Sequence, residues 1–333
     1  MPPSTYYPPP YSFPKATFRG RLRAHLQIMR LDHSIKNIFV IPGIVIPLSV
    51  LRAPLLSLPL ARNVLVGFVA ITLIACSNYV LNEVLDAPFD RLHPKKQNRP
   101  VAQGLVSVPF AYAQWLLMMV VGMAWALTIS RLFAYSAGAL WIMGCLYNIS
   151  PIRTKDKVYL DVLSESANNP IRMLLGWYMV TSLLVPPVSL LFCYWMGGCY
   201  LMALKRFSEF REIGNPQLAG AYRRSFQHYT EVSLLTSVTF YASAAMLFFG
   251  AFIMRYRIEL ILVFPLVALL MSTYFRLAFQ PNSAAQNPEK LYREPRLMIE
   301  TGLVAASMLA LLYFNIPVLG QIFSPTLPSA IGR

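Results

Sequence analysis

Long apolar runs separated by short polar segments set the pattern of this chain. Runs of roughly 17–25 residues let a helix cross a hydrocarbon layer of ~30 Å. They fall at about 37–53, 63–84, 111–129, 132–148, 159–182, 186–204, 232–253, 258–275 and 298–319. The runs are continuous rather than alternating, which excludes a lipid-facing β-barrel. The pattern predicts an all-α membrane protein with a bundle of about nine transmembrane helices. A composition of 56% apolar and 13% charged residues excludes an ordinary soluble domain.

The segments between the runs carry the charge. The first 14 residues are rich in proline and tyrosine and contain no charged side chain, so a disordered tail is expected over 1–14, with a proline-motif docking role as the alternative. One domain is expected over 15–333. From Lys15 to Met29, basic residues alternate with Phe18, Leu22, Leu26 and Ile28, the pattern of a helix on a membrane surface. With the N-terminus inside, the tail and the loops after the second, fourth, sixth and eighth runs hold 22 Lys and Arg, against six on the other side. The positive-inside rule then predicts an inner-membrane protein whose basic loops face the cytoplasm. The net charge of +15 is thereby concentrated on one membrane face, next to anionic headgroups and phosphorylated substrates. Nucleic acid is not the expected partner, because no soluble domain presents that charge. Cys76, Cys145, Cys193 and Cys199 all fall in apolar runs and lack metal-type spacing.

Three polar constellations interrupt the apolar pattern. In the stretch from Asn78 to Gly104, Asn78, Asn82, Asp86 and Asp90 recur every fourth residue, with Glu83 beside them and Arg99 beyond. On one helix they share a slowly drifting face. Oxygen ligands without thiol or imidazole suit Mg²⁺ held together with a diphosphate; the alternative is an acidic helix end followed by a basic loop. The second constellation has Asp161 and Glu165 four apart, then Asn168, Asn169 and Arg172 inside an apolar run, preceded by Tyr147, Arg153, Lys155 and Lys157. Polar groups at membrane depth predict a site, an ion pair from Asp161 or Glu165 to Arg172 being the alternative. In the third, Lys205 and Arg206 come directly off an apolar run, and Glu209, Arg211, Arg223, Arg224 and His228 follow as largely solvated loop. Lys36 and Asn37 enter the first run, where they can reach a phosphate or simply snorkel.

These residues resemble the UbiA superfamily of intramembrane transferases, over nearly all of the chain from about Arg30. NEVLDAPFD is similar to its first aspartate-rich motif, which places Asn82, Glu83, Asp86 and Asp90 on the metal-diphosphate positions, Glu83 standing where an aspartate is usual. DVLSE at Asp161 to Glu165 resembles the second motif, and YNISPIRTK the loop before it. The resemblance implies nine helices around a central cavity, here open to the cytoplasmic face, and Mg²⁺ as cofactor. RLDHSIKNIFV, LKRFSEFREI, YRRSFQHYT and LYREPRLM look like the decaprenyl-phosphate phosphoribosyltransferase branch, while the loop SPIRTKDK is more like the aromatic prenyltransferases.

The expected reaction is Mg²⁺-dependent transfer of a 5-phosphoribosyl group from 5-phosphoribosyl 1-diphosphate to a polyprenyl phosphate, with release of diphosphate. Asn82, Asp86, Asp90 and Asp161 are the expected catalytic set. Lys36, Asn37, Arg99, Tyr147, Lys155, Glu165, Arg172, Lys205 and Arg206 are expected to bind substrate. An anionic acceptor needs no general base, and the four histidines form no partnered pattern. Prenyl transfer to an aromatic acceptor and a non-enzymatic lipid-phosphate carrier are the other readings; oligomeric state stays open, a homo-oligomer included.

Overall fold

In a computed structural model the described residues are 17–51, 57–91 and 96–324, the side chains of 288 and 289 excepted. The expected tail at 1–14 lies outside them. Among the described residues all regular structure is helical. The α-helices are α1 (Phe18–Gln27), α2 (Ile41–Leu51), α3 (Leu58–Asp90), α4 (Val108–Leu127), α5 (Arg131–Asn148), α6 (Leu160–Val180), α7 (Val188–Ile213), α8 (Pro216–Tyr222), α9 (Glu231–Tyr256), α10 (Phe264–Leu277), α11 (Pro295–Tyr313) and α12 (Pro317–Ile322). Short 3₁₀ segments precede α2 (Leu31–Val40) and α10 (Ile258–Val263).

Among the described residues each predicted apolar run falls mostly on helix, the last one broken at 314–316, and seven described helical segments are long and apolar enough to cross a membrane. The two runs outside that group are α5 and α6. Polar groups such as Asp161, Glu165 and Arg172 dilute the apolar character of α6. Local signals mark the ends. Ser57 and Ser130 accept from the backbone N–H of Leu60 and Phe133 at 3.3 and 3.1 Å, Thr230 and Ser233 form a capping box at α9, and Gly214 at φ 66° ends α7 in the left-handed region that glycine tolerates.

Two helices overrun the predicted apolar spans. At 1.5 Å per residue the 33-residue α3 is about 50 Å long, and it stays helical to Asp90. α7 likewise runs on to Ile213. The polar residues after the apolar runs are therefore held on rigid helix. α3 packs on α4 and α5, α5 on α6, α6 on α2 and α7, and α7 on α9, while α11 packs on α10 and touches α2. Ile71, Ile74, Phe133, Leu140 and Met179 fill the contact among α3, α5 and α6, and Leu204, Phe207, Leu234 and Tyr241 that between α7 and α9. Ala24 and Ile28 seat the α1 end on α3 and α4 against Val80 and Val84. The outward side chains of Phe18, Leu22 and Leu26 are exposed.

Candidate active site

The polar ends of these helices converge on a cavity of about 320 Å³. Asn78, Tyr79, Asn82 and Asp86 line it from α3, Tyr147 and Asn148 from α5, Glu165, Asn168 and Arg172 from α6, and Lys205, Arg206 and Glu209 from α7. The last residue of α8, Tyr222, joins them, and the segments between the α-helices add Arg30, His33, Lys36, Lys96, Arg99, Lys155, Arg223, Gln286 and Asn287. Of the 26 wall residues, Ala75, Leu140, Gly144 and Met202 alone have neither a polar nor an aromatic side chain. Nine are Lys or Arg and three are carboxylates.

Asp86 is the hub of the first constellation. Its Oδ1 accepts from Arg153 Nη2 at 2.9 Å and from Lys155 Nζ at 2.5 Å, and Lys155 also donates to Asn148 Oδ1 at 2.8 Å. Asn82 donates to the same Asn148 oxygen at 2.6 Å. The loop that delivers these cations is tightly wound. Arg153 and Tyr159 take left-handed φ of 28° and 61°, and Arg153 also clamps Asp156 at 2.9 Å and the Asn148 carbonyl at 3.2 Å. Burial pushes the Lys155 ammonium below its ordinary range, and Asp86 opposes that shift.

The other members of the expected metal set turn elsewhere. Asp90 accepts from Arg99 at 2.6 Å and is not on the cavity wall. Glu83, 4% exposed, is inside the helix packing, and its Oε1 finds no partner. Among the described residues no group of three or more His, Cys, Asp and Glu is arranged to hold a metal ion. Asn82 and Asp86 remain, hard oxygen donors on the wall. That set fits Mg²⁺, which keeps several waters and is completed by substrate phosphates, and does not fit a closed protein cage.

In the second constellation Glu165 pairs with Lys36 at 3.4 Å, and Lys36 stands 5.9 Å from the Tyr79 ring centroid. Arg172 lines the cavity with Nη1 on the Asn168 carbonyl at 3.4 Å, and its Nε finds no partner. The alternative ion pair to Arg172 is not among the described pairs. Asp161 is 0% exposed and off the wall. Asn37 also leaves the cavity, donating to Thr72 Oγ1 at 3.1 Å between helices.

Sequence reasoning named Arg223 only as solvated loop and did not single out Lys96, Gln286 or Asn287, yet all four line the cavity. The segment after α7 folds back instead, so that Tyr222 and Arg223 reach the wall and Lys96 Nζ stands 4.5 Å from the Tyr222 ring centroid. Burial, then Arg223 and Arg99, push the Lys96 ammonium down to about 8. The tyrosine and arginine beside Phe226 and Tyr229 in YRRSFQHYT were a usable signal, because aromatic residues spaced through a basic loop can form a small core of their own. Burial, then Asp161, keep the Tyr229 phenol well above its ordinary value, hence protonated and able to donate.

The sequence profile of the UbiA prenyltransferase family matches residues 40–294. A decaprenyl-phosphate phosphoribosyltransferase of Mycobacterium tuberculosis is 28% identical over 190 residues, 56% of this chain and 60% of that protein. A protoheme IX farnesyltransferase of Listeria monocytogenes is 28% identical over 179 residues, 51% of this chain and 58% of that one. The matches thus span less than two thirds of these relatives. A UbiA homolog from Archaeoglobus fulgidus bound to GPP and Mg²⁺ superposes with a TM-score of 0.62 at 18% identity, over 87% of this chain and all of that chain. At that identity the likeness speaks for the fold alone.

Proposed function

Because the chain belongs to the UbiA prenyltransferase family and is therefore an integral membrane transferase, we propose that it transfers a 5-phosphoribosyl group from 5-phosphoribosyl 1-diphosphate to a polyprenyl phosphate. The observation that carries this reading is the wall itself. With four residues of 26 neither polar nor aromatic, the wall is mainly polar, and an excess of six cations over carboxylates suits more than one phosphate group. The relative named as a decaprenyl-phosphate phosphoribosyltransferase supports the same reading. Nine transmembrane helices with the cavity open to the cytoplasm, in one domain over 15–333, complete the proposal.

In this reading Lys96, Arg99, Lys155 and Arg223 hold the diphosphate near Asn82 and Asp86, while Lys36 and Arg172 at the α6 side hold the 5-phosphate. The bond from the anomeric carbon to the diphosphate oxygen breaks as the bond to the lipid phosphate oxygen forms, and the diphosphate leaves with the electron pair. The acceptor is already an anion, so no side chain has to remove a proton. Cations fixed before the reaction stabilise charge building on the leaving group without reorganising. Asn82 and Asp86 would hold Mg²⁺, whose charge would offset part of that on the leaving group. The isoprenoid tail of the acceptor stays in lipid.

Purified protein given labelled 5-phosphoribosyl 1-diphosphate, decaprenyl phosphate and Mg²⁺ is expected to form a labelled lipid. Asp86→Asn is expected to lower that turnover at least about a hundredfold, several kcal/mol of transition-state stabilisation. Reaction of prenyl diphosphate with a hydroxybenzoate, and none with the phosphoribosyl donor, would replace this reading with aromatic prenyl transfer.

A further inference from the structure

Asp161 stands in the second aspartate-rich motif and in the expected catalytic set, yet both of its oxygens are taken by protein. Oδ1 accepts from the Tyr229 hydroxyl at 2.8 Å, and Oδ2 accepts from Arg206 Nε and Ser225 Oγ, each at 3.2 Å. The Tyr229 hydroxyl in turn accepts from the backbone N–H of Tyr159 at 2.7 Å. Arg206, 2% exposed, gives Nη1 to Glu209 at 3.0 Å. Two of its three nitrogens are thus committed to carboxylates, and the residue itself lines the cavity. The same carboxylate ties residues 225 and 229 to the start of α6, and Arg223, two residues ahead, reaches the wall from that tie.

We propose that Asp161 is a positioning residue: it aims the Arg206 guanidinium and, through Ser225 and Tyr229, holds the loop that brings Arg223 to the cavity, so that both cations meet the diphosphate. This rests on the cavity being a diphosphate site, but not on which donor carries that group. The sign of the effect separates positioning from its rivals. Removing a negative charge next to an anion site strengthens anion binding by Coulomb attraction alone, and removing a metal ligand leaves metal-free binding unchanged. Losing the aim of two cations weakens metal-free binding.

The test is binding of inorganic pyrophosphate to the full-length protein in detergent with EDTA, followed by calorimetry. Asp161→Asn is expected to bind about tenfold more weakly and Tyr229→Phe about threefold more weakly than wild type, the loss of one or two hydrogen bonds to a charged group. The combined loss in Asp161→Asn with Arg206→Ala is expected to be smaller than the sum of the two separate losses, because part of the effect of Asp161 passes through Arg206. Tyr229→Phe keeps the carboxylate and reads the same quantity should Asp161→Asn fail to fold. Wild-type or tighter pyrophosphate binding by both variants, or fully additive losses in the double variant, overturns the inference. Absence of pyrophosphate binding in wild type overturns the diphosphate-site reading itself, which sets the two failures apart.

Discussion

Lys96 shows how a crowded cationic wall tunes a single residue. Its ammonium is pushed down to about 8 because burial and the neighbouring Arg223 and Arg99 disfavour another positive charge. A bound phosphate anion reverses that preference. Two pH dependences of opposite sign result. In the free protein the folded state binds the proton less tightly than the unfolded chain, so this group makes the fold more stable as pH rises from about 8 towards 10.5. For the substrate complex the proton is needed, so the KM for the phosphorylated donor is expected to rise as pH passes 8, by roughly ten- to a hundredfold at the limit. Lys96→Arg keeps its charge over that range and is expected to flatten the profile. A donor KM that is flat from pH 7 to 9.5 in wild type would remove Lys96 from the binding set.

At the scale of elements, the placement of Lys36 depends on a backbone crossing. Gly43 in α2 and Gly176 in α6 face each other's helices so closely that a Cβ at Gly43 would run into the Met173 carbonyl and one at Gly176 into the Val40 carbonyl. This crossing presses the Leu31–Val40 segment onto α6 and sets Lys36 opposite Glu165. Small residues allow such close helix approach in a bilayer, where no hydrophobic force joins helices. Gly176→Leu is expected to destabilise the bundle by about 3 kcal/mol, since the obstacle is backbone that cannot rotate away. Gly250→Ala in α9, with open space where its Cβ would go, is expected to be neutral. Thermal unfolding in detergent compares them, and equal midpoints for both variants would refute the close-packing account.

For the molecule as a whole, the cavity wall and the charge asymmetry are two views of one arrangement. The wall draws on residues 30–36, on the segments after α3, α5 and α7, and on 286–287 after α10, the same segments that hold the excess Lys and Arg. A reporter inserted at residue 215, in the segment between α7 and α8, is expected to lie on the cytoplasmic side, and one at residue 315, after α11, outside. The reverse result would put the cavity where a cytoplasmic phosphoribosyl diphosphate does not reach it.

Much of this architecture was legible in the residues alone. Run length and hydropathy determine where helices form, because a backbone in hydrocarbon must bond to itself, and the four-residue spacing of Asn78, Asn82 and Asp86 survives into the structure as a cavity-lining face. Asp90 shares that spacing yet leaves the wall and pairs with Arg99, which lines it, because a drifting helical face eventually turns towards a neighbour. Which polar residue meets the cavity and which meets another helix was decided by tertiary packing. Asp161 and Asn37 were chosen by partners 45 to 68 and 35 residues away, and Arg223 and Lys96 were brought to the wall by loops that fold back. A buried polar group must find a partner, but its spacing along the chain does not say which, since that depends on helix rotation and on residues distant in sequence.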